Sequence, residues 1–308
     1  MSKVWMRVVF SLAVVAGLVF AGWVAVSDVE AQSSLTGTWT ASVSKDAKDS
    51  SKINLNFERH SNKGGRHQMG QTFDFSDLQG LSREQAINGG PVSFSLVREA
   101  GRIDCEGSFQ NGKGSGTFRF TGNAAFVSAM KSRGFDFEEG LNATDDDHRG
   151  QNKLFAATTL NVTTALADDL ISAGFGKLRT NDLFKAAIFK VDSKFMREMK
   201  ASGFENLGME ELVKARIFKI DAEFVRQVSQ MGFEKEPFES LVKMQIFKVT
   251  PEFISEVRNE GLTNLQVEQL VKLRIFKIDA NFIREARAEG VPLEVERLVK
   301  RRIGVAHR

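Results

Sequence analysis

Between residues 35 and 122, apolar residues alternate with polar ones in short runs, which is the period of half-buried β-strands. The apolar positions are Trp39, Ala41 and Val43; Ile53, Leu55 and Phe57; Phe73 and Phe75; Val92, Phe94 and Leu96; Ile103, Cys105 and Phe109; and Phe118 and Phe120. Asn111-Gly112 is a two-residue hairpin signal, and Ser82 with Gln85 forms a capping-box pattern that predicts a short helix at 83–87. The region therefore predicts a small antiparallel sandwich or partly closed barrel of about six strands.

From residue 123 onward the pattern changes to a repeat with an offset of 29 residues. The segments LVKARIFKI, LVKMQIFKV and LVKLRIFKI begin at Leu212, Leu241 and Leu270. A fixed period of this size indicates stacked supersecondary units. A glycine followed by an apolar residue recurs with the spacing of a Schellman helix end. These glycines are Gly134, Gly174, Gly203, Gly232, Gly261 and Gly290. The sequence therefore predicts six helix-pair repeats over 123–308.

The first repeat is longer than the others because its glycine interval is 40 residues, and we place the insertion at 136–152. The acidic stretch Asp145-Asp146-Asp147-His148 lies in this insertion, as a solvated loop or as a site for a cation such as calcium. Asp192, Asp221, Thr250 and Asp279 are expected to cap the first helix of their repeats. The predicted fold class is α+β: an antiparallel β sandwich or barrel followed by an α-helical repeat array.

Residues 1–31 have the layout of an export signal. Lys3 and Arg7 precede 19 uncharged residues at 8–26, and Val29-Glu30-Ala31 suits cleavage after Ala31. The apolar run is also long enough to remain as an uncleaved membrane anchor. Both alternatives place residues 33–308 outside the cytoplasm, in the periplasm or the extracellular space.

Composition and motifs argue against nucleic-acid binding, metal or cofactor binding, and catalysis. The chain of 308 residues has 42 basic and 39 acidic side chains, which is not the basic footprint of a nucleic-acid-binding protein. The four histidines are scattered, and no zinc motif or nucleophile elbow is present, so we expect no metal, no cofactor and no catalysis. The segment 112–116, Gly-Lys-Gly-Ser-Gly, resembles a phosphate loop but leads into a strand. Cys105 is the only cysteine; we favour a buried inert thiol over a reactive or intermolecular one.

Lysines recur at two repeat positions. The first set, which we call the helix lysines, is Lys185, Lys214, Lys243, Lys272 and Lys300. The second set, the turn lysines, is Lys190, Lys219, Lys248 and Lys277. Both sets are explained by cations complementing the dipole at helix C-termini. Alternatively, the helix lysines form a basic ridge that binds an acidic protein surface or lipid headgroups.

Two resemblances add expectations about fold and function. The start Leu35-Thr36-Gly37-Thr38-Trp39 resembles that of lipocalin-type barrels, which implies a ligand cavity. Residues 98–101, 106–107 and 112–120, followed by Leu-Val-Lys repeats, resemble a group of uncharacterised bacterial exported proteins. The arrangement is also similar to the extracytoplasmic tails of some membrane metallopeptidases of the beta-lactam-sensor type. Their zinc motif and membrane helices are absent here, so the resemblance implies no protease activity.

The chain departs from that group at the end of each repeat. Its members often carry His-Gly where this chain has Phe-Lys, and only Gly304 keeps the glycine. Compared with that group, the sequence therefore gives a less certain signal for helix termination at these positions.

The sequence favours an exported, non-catalytic interaction module whose helical repeats present a surface to a protein or peptide partner in the cell envelope. Membrane association would come through residues 8–26. The alternative is an envelope sensor or carrier protein that binds a small ligand in the β domain. An apolar pocket in the β domain would favour the alternative, and an exposed apolar or basic row along the repeats would favour the interaction module.

Overall fold

The computed structural model describes residues 35–43, 51–60, 66–137 and 149–304. These residues belong to one compact unit, Ser34–Arg308. The predicted export signal at 1–31 and the acidic stretch at 145–148 lie outside the described residues. Within the described ranges, every helix is too short or too polar to cross a membrane.

The N-terminal part is a single curled antiparallel sheet, a half-barrel rather than a sandwich of two sheets. Its order is β3-β2-β1-β7-β6-β5-β4. The strands are β1 Leu35–Val43, β2 Lys52–His60, β3 Arg66–Asp74, β4 Leu78–Gln79, β5 Gly90–Arg98, β6 Gly101–Gln110 and β7 Lys113–Gly122. The sequence pattern missed the two-residue β4, and it placed Phe75 on a strand although this residue begins a 3-10 turn.

The inner face of the sheet is packed around aromatic rings, and glycines make room for them. Trp39 lies 5.2 Å from Phe94 and 5.6 Å from Phe109, measured between ring centroids. A Cβ on Gly116 would lie 2.0 Å from the Glu106 carbonyl oxygen, and one on Gly114 would lie 2.6 Å from the Phe109 ring. The Gly-Lys-Gly-Ser-Gly segment is therefore a packing feature of β7 and its hairpin turn.

The two local signals in this part are confirmed. Helix α1, Arg83–Asn88, begins with a capping box between Ser82 and Gln85. Asn111 and Gly112 both have positive φ, 52° and 76°, as the tight hairpin between β6 and β7 requires. Helix α1 contacts β1, β5, β6 and β7, so it covers one end of the half-barrel.

The C-terminal part is helical. Its helices are α2 Ala124–Lys131, α3 Arg149–Leu160, α4 Thr164–Ser172, α5 Thr180–Phe189, α6 Ser193–Ala201, α7 Met209–Ile217, α8 Ala222–Gln230, α9 Phe238–Ile246, α10 Pro251–Asn259, α11 Val267–Ile275, α12 Ala280–Ala288 and α13 Val295–Arg302. Because α3 begins at Arg149, the last four residues of the insertion predicted at 136–152 are helical.

Caps set the helix ends as the sequence indicated. The side chains of Asp192, Asp221, Thr250 and Asp279 each accept a hydrogen bond from the backbone N–H three residues on. All six predicted glycines have positive φ, between 76° and 97°. At five of them the next N–H donates to the carbonyl five residues back, which is the Schellman bond. Gly174 lacks this bond but keeps the positive φ.

The helices stack in two rows. Contacts between neighbouring pairs join α4 to α6, α6 to α8 and α10 to α12 in one row, and α5 to α7, α9 to α11 and α11 to α13 in the other. The core between the rows contains Met199, Leu241, Val257 and Leu270, all at most 1% exposed.

Helix α3 lies on the sheet and joins the two parts. Its Phe155 lies within 5.5 Å of the rings of Phe57, Phe118 and Phe120. The half-barrel and the helices thus share a hydrophobic core at this point.

Candidate functional site

One exposed isoleucine lies at the C-terminal end of each second helix from α5 onward; α3 instead ends at Leu160. Ile188 lies in the last turn of α5; Ile217, Ile246 and Ile275 are the last residues of α7, α9 and α11; and Ile303 follows α13. Each is 48% to 55% exposed, although the apolar residues earlier in the same helices, such as Leu212 and Ala215, are buried. We call Ile188, Ile217, Ile246, Ile275 and Ile303 the isoleucine row.

Each turn lysine lies two residues after an isoleucine of the row and has a positive φ, which is uncommon for a residue other than glycine. Lys190, Lys219, Lys248 and Lys277 have φ between 52° and 56°, the left-handed region that favours glycine. The N–H of the next residue donates to the carbonyl five residues back, for example Ile220 to Ala215 at 2.8 Å. The helices therefore do end at these positions without the glycine, because a lysine takes the glycine position and completes the same turn.

The side chains of the turn lysines are exposed and form no ion pair with any residue between 35 and 304 that the structure describes. The helix lysines differ. Lys214 donates to Glu239 at 2.7 Å, Lys243 to Glu268 at 3.2 Å and Lys272 to Glu296 at 2.5 Å, and Lys185 also pairs with Glu210. Each glutamate lies in the first turn of the next second helix. Lys300 has no ion-pair partner within the described ranges.

These ion pairs bear on the predicted basic ridge. Four of its five lysines have a carboxylate beside them, so their positive charge is largely balanced locally. The pKa of Glu268 is lowered by hydrogen bonds from its own backbone N–H and from Lys243. The turn lysines, like Lys300, have no such carboxylate beside them among the residues that the structure describes.

Side chains of each following helix pair hold the turns in place. The donors and the accepting carbonyls are Arg216 to Lys190, Gln245 to Lys219, Arg274 to Phe247 and Arg302 to Lys277. Three of these side chains are arginines that also lie over a phenylalanine ring: Arg216 over Phe195, Arg274 over Phe253 and Arg302 over Phe282. Gln245 occupies the equivalent position but carries no charge, so this junction lacks the cation–π contact.

A depression of about 300 Å³ opens on this face between two successive turns. Phe247 of one turn and Lys277 of the next lie on its two sides, and Leu273 and Ile278 form its base. It is large enough to take one large apolar side chain.

A second feature lies in the N-terminal part, between the sheet and α3. It is an apolar cleft of about 460 Å³. Its apolar walls are formed by Leu35, Phe57, Met69, Phe118 and Phe155. At its rim, Arg59 donates to the Asn152 side-chain oxygen at 2.5 Å. The cleft is half open, so it is a candidate ligand site rather than a sealed void.

No family model, no curated protein and no solved structure matches this chain.

Other candidate residues take structural roles. Cys105 is a buried free thiol, and burial raises its pKa well above the ordinary value, as expected of an inert thiol. The described residues contain no group of three or more histidine, cysteine or carboxylate side chains that could hold a metal.

The sequence interpretation did not identify the isoleucine row. The signal is an isoleucine before the Phe-Lys pair at the end of four successive repeats, but sequence alone does not show whether such a residue is buried or exposed. Burial depends on where the neighbouring helix ends, and that is a tertiary property.

Proposed function

We propose that the helical part is an array of 29-residue helix pairs that acts as an exported, non-catalytic interaction module for a protein or peptide partner in the cell envelope. The regular spacing is supported by the starts of α6, α8, α10 and α12, at residues 193, 222, 251 and 280. Export is supported by the signal-like pattern at 1–31 and by the resemblance to exported proteins.

The isoleucine row carries this proposal. Exposed isoleucines scattered at random would have no meaning, because most of a protein surface is apolar. Here the same side chain is exposed at the same place in five successive units, beside a row of lysines. An apolar row with a charged border is what a protein-binding surface needs.

The test is site-specific photo-crosslinking in intact cells of the native host. A photoreactive residue at Ile217 or Ile246 should give a discrete protein adduct, whereas the same residue at the exposed Gln230 of α8 should not. Changing the other four isoleucines of the row to serine should abolish the adduct. Equal adducts at Ile246 and Gln230, or none at either, would contradict the proposal.

The apolar cleft supports a second candidate function, a carrier or sensor for a small apolar ligand. The rings of Phe57, Phe118 and Phe155 provide the walls, and polar side chains at the rim could orient one end of a ligand.

We would test the cleft with the fluorescent fatty acid cis-parinaric acid. The protein should bind it saturably, and Met69→Trp, which fills the cleft, should weaken binding by at least about tenfold. Met69→Leu is the matched control and should bind nearly as well as the unchanged protein. Equal binding by Met69→Trp would remove this candidate.

A further inference from the structure

The turn lysines occupy left-handed positions at the ends of second helices, where α3 is followed by Asn161, with φ of 55°, and α13 by Gly304. All six first-helix ends have glycine in the left-handed conformation, and Gly304 has φ of 74° at the end of the last second helix. A residue with a Cβ is disfavoured in this conformation. Four lysines at the ends of second helices nevertheless take it, at Lys190, Lys219, Lys248 and Lys277, and Lys235, in the loop before α9, takes it as well with φ of 60°.

Helix-dipole stabilisation does not account equally for the four turn lysines, because the last turn of α5 contains no other cation and that of α9 contains only Lys243. The last turns of α7 and α11 already contain two cations each: Lys214 and Arg216 in α7, and Lys272 and Arg274 in α11. A further cation one residue beyond the helix adds little to the same field. Lys219 and Lys277 therefore gain little from the helix dipole, and the exposed ammonium groups of all four turn lysines remain available to a binding partner.

We propose that the turn lysines and the isoleucine row together bind an acidic amphipathic helix of a partner protein. This inference rests on the proposed function and specifies the chemistry of the partner. The unpaired ammonium groups complement carboxylates, and the exposed isoleucines with the depression beside Phe247 complement apolar side chains. Packed helices lie about 8–10 Å apart, and seven residues of helix span about 10.5 Å. A partner helix with one apolar and one acidic residue in each heptad therefore matches successive turns.

The observations favour such a helix over an anionic membrane surface. The carboxylates of Glu210, Glu239, Glu268 and Glu296 are exposed beside the helix lysines, in the first turns of the second helices. A continuous negative surface would repel them, whereas a helix can present its charges only to the turn lysines.

The probe is a synthetic 28-residue helix of four heptads with leucine and glutamate on one face, and the control peptide has glutamine in place of glutamate. Binding is measured by fluorescence anisotropy at low and high salt. The protein should bind the acidic peptide more tightly than the control peptide, and less tightly as salt increases. The combined variant Lys190→Gly, Lys219→Gly, Lys248→Gly and Lys277→Gly should bind it about 30-fold more weakly.

Two matched variants separate binding from folding. The glycine variant should keep or raise the Tm, because glycine suits the left-handed turns. The corresponding arginine variant should bind within about threefold of the unchanged protein. Lys185→Gln with Lys214→Gln, Lys243→Gln and Lys272→Gln should also change binding by no more than about threefold, because these lysines are already paired.

Three results would overturn the inference. They are equal affinity for the acidic and neutral peptides, unchanged peptide binding by the glycine variant, and binding to phosphatidylglycerol vesicles without peptide binding. If the adduct at Ile246 persists in any of these cases, the proposed function stands and only the partner chemistry is wrong. If the adduct is also absent, both fail.

Discussion

The half-barrel and the helical part achieve stability in opposite ways. In the half-barrel, β1 at the start of the domain pairs with β7 at its end, so residues far apart in sequence must meet before the core closes. In the helical part, the ion pairs and capping bonds between units join residues 24 to 27 positions apart. The first region is closed by long-range pairing, and the second is extended by local contacts.

This difference predicts how each region responds to a destabilising substitution. A substitution in the half-barrel core should destabilise the whole domain, because every strand depends on its neighbours. A substitution between two helix pairs should destabilise only that junction, because the stability of such arrays is close to a sum of the interface energies between neighbouring pairs. The predictions below test this contrast, beginning with the largest expected effect.

Phe155 is where the contrast should break down, because this helical residue belongs to the core of the half-barrel. Phe155→Ala should lower the free energy of unfolding by about 4 kcal/mol, since the cavity would open among three aromatic rings. Chemical denaturation of the purified protein measures the change. Ile171→Ala removes a 48% exposed side chain and should cost less than about 0.5 kcal/mol. Similar effects of the two substitutions would show that α3 does not join the two cores.

Gly116 tests how tightly the half-barrel is closed. Gly116→Ala should lower the free energy of unfolding by about 2 to 3 kcal/mol, because its Cβ would meet the backbone of β6 at 2.0 Å. Thermal and chemical unfolding measure the change. In the control Gly70→Ala, the nearest atom to the new Cβ is the Asn56 side-chain oxygen at 3.5 Å, so little should change. A harmless Gly116→Ala would mean that β6 and β7 separate easily.

Replacing Gln245 should slightly increase the stability of one junction of the helical part. Gln245→Arg should place a guanidinium near Phe224, as Arg274 does over Phe253 at 4.8 Å, and stabilise the protein by about 0.5 to 1 kcal/mol. Arg274→Gln should lose a similar amount. Both changes are measured by chemical denaturation, and combining them should give nearly additive effects. Strong coupling between the two would contradict a sum of separate junctions.

The smallest effect is expected from pH between 8 and 5.5. Residues 149–304 contain no histidine. Hydrogen bonds from Arg133, Arg284 and Arg301 lower the pKa of Asp168, Glu260 and Glu289, respectively. Carboxylates with lowered pKa stabilise the fold above their unfolded pKa, and this contribution disappears as pH falls through the folded pKa. Helix stability should therefore stay level down to pH 5.5 and fall below about pH 4.5.

Circular dichroism at each pH follows the helices, and Trp39 fluorescence in a Trp5→Phe, Trp23→Phe background follows the half-barrel. The helical signal should be lost first in acid, because the lowered carboxylates lie mainly in that part. If the Trp39 signal is lost first, the half-barrel is the less acid-stable region, contrary to this prediction.

Much of the fold followed from local sequence signals. Period-two alternation gave the strands, and caps such as Asp221 and Gly232 gave the helix ends, because each depends on only a few neighbouring residues. The choice between sandwich and half-barrel could not be made, since it depends on whether β1 pairs with β7. The position of α3 on the sheet depends on Phe155 meeting Phe57 and Phe118, which no local pattern encodes.

The candidate site was less predictable than the fold. The repeat revealed both rows of lysines, but it could not show that Lys214 meets Glu239 while Lys219 has no such partner. That distinction depends on how one helix pair sits on the next. The left-handed conformation of Lys219 was equally hidden, because lysine gives no sign that it occupies a glycine position.

The bonds from Arg216, Gln245, Arg274 and Arg302 all point the same way, from a later helix pair to the turn of the one before it. Each helix pair thus provides a side-chain donor for the turn of the pair before it, and its own turn provides a carbonyl acceptor for the pair after it. A duplicated segment spliced in at such a boundary would find its donors and acceptors already matched. Gene duplication could therefore lengthen the molecule in whole steps, adding one more isoleucine and one more lysine each time without redesigning any joint.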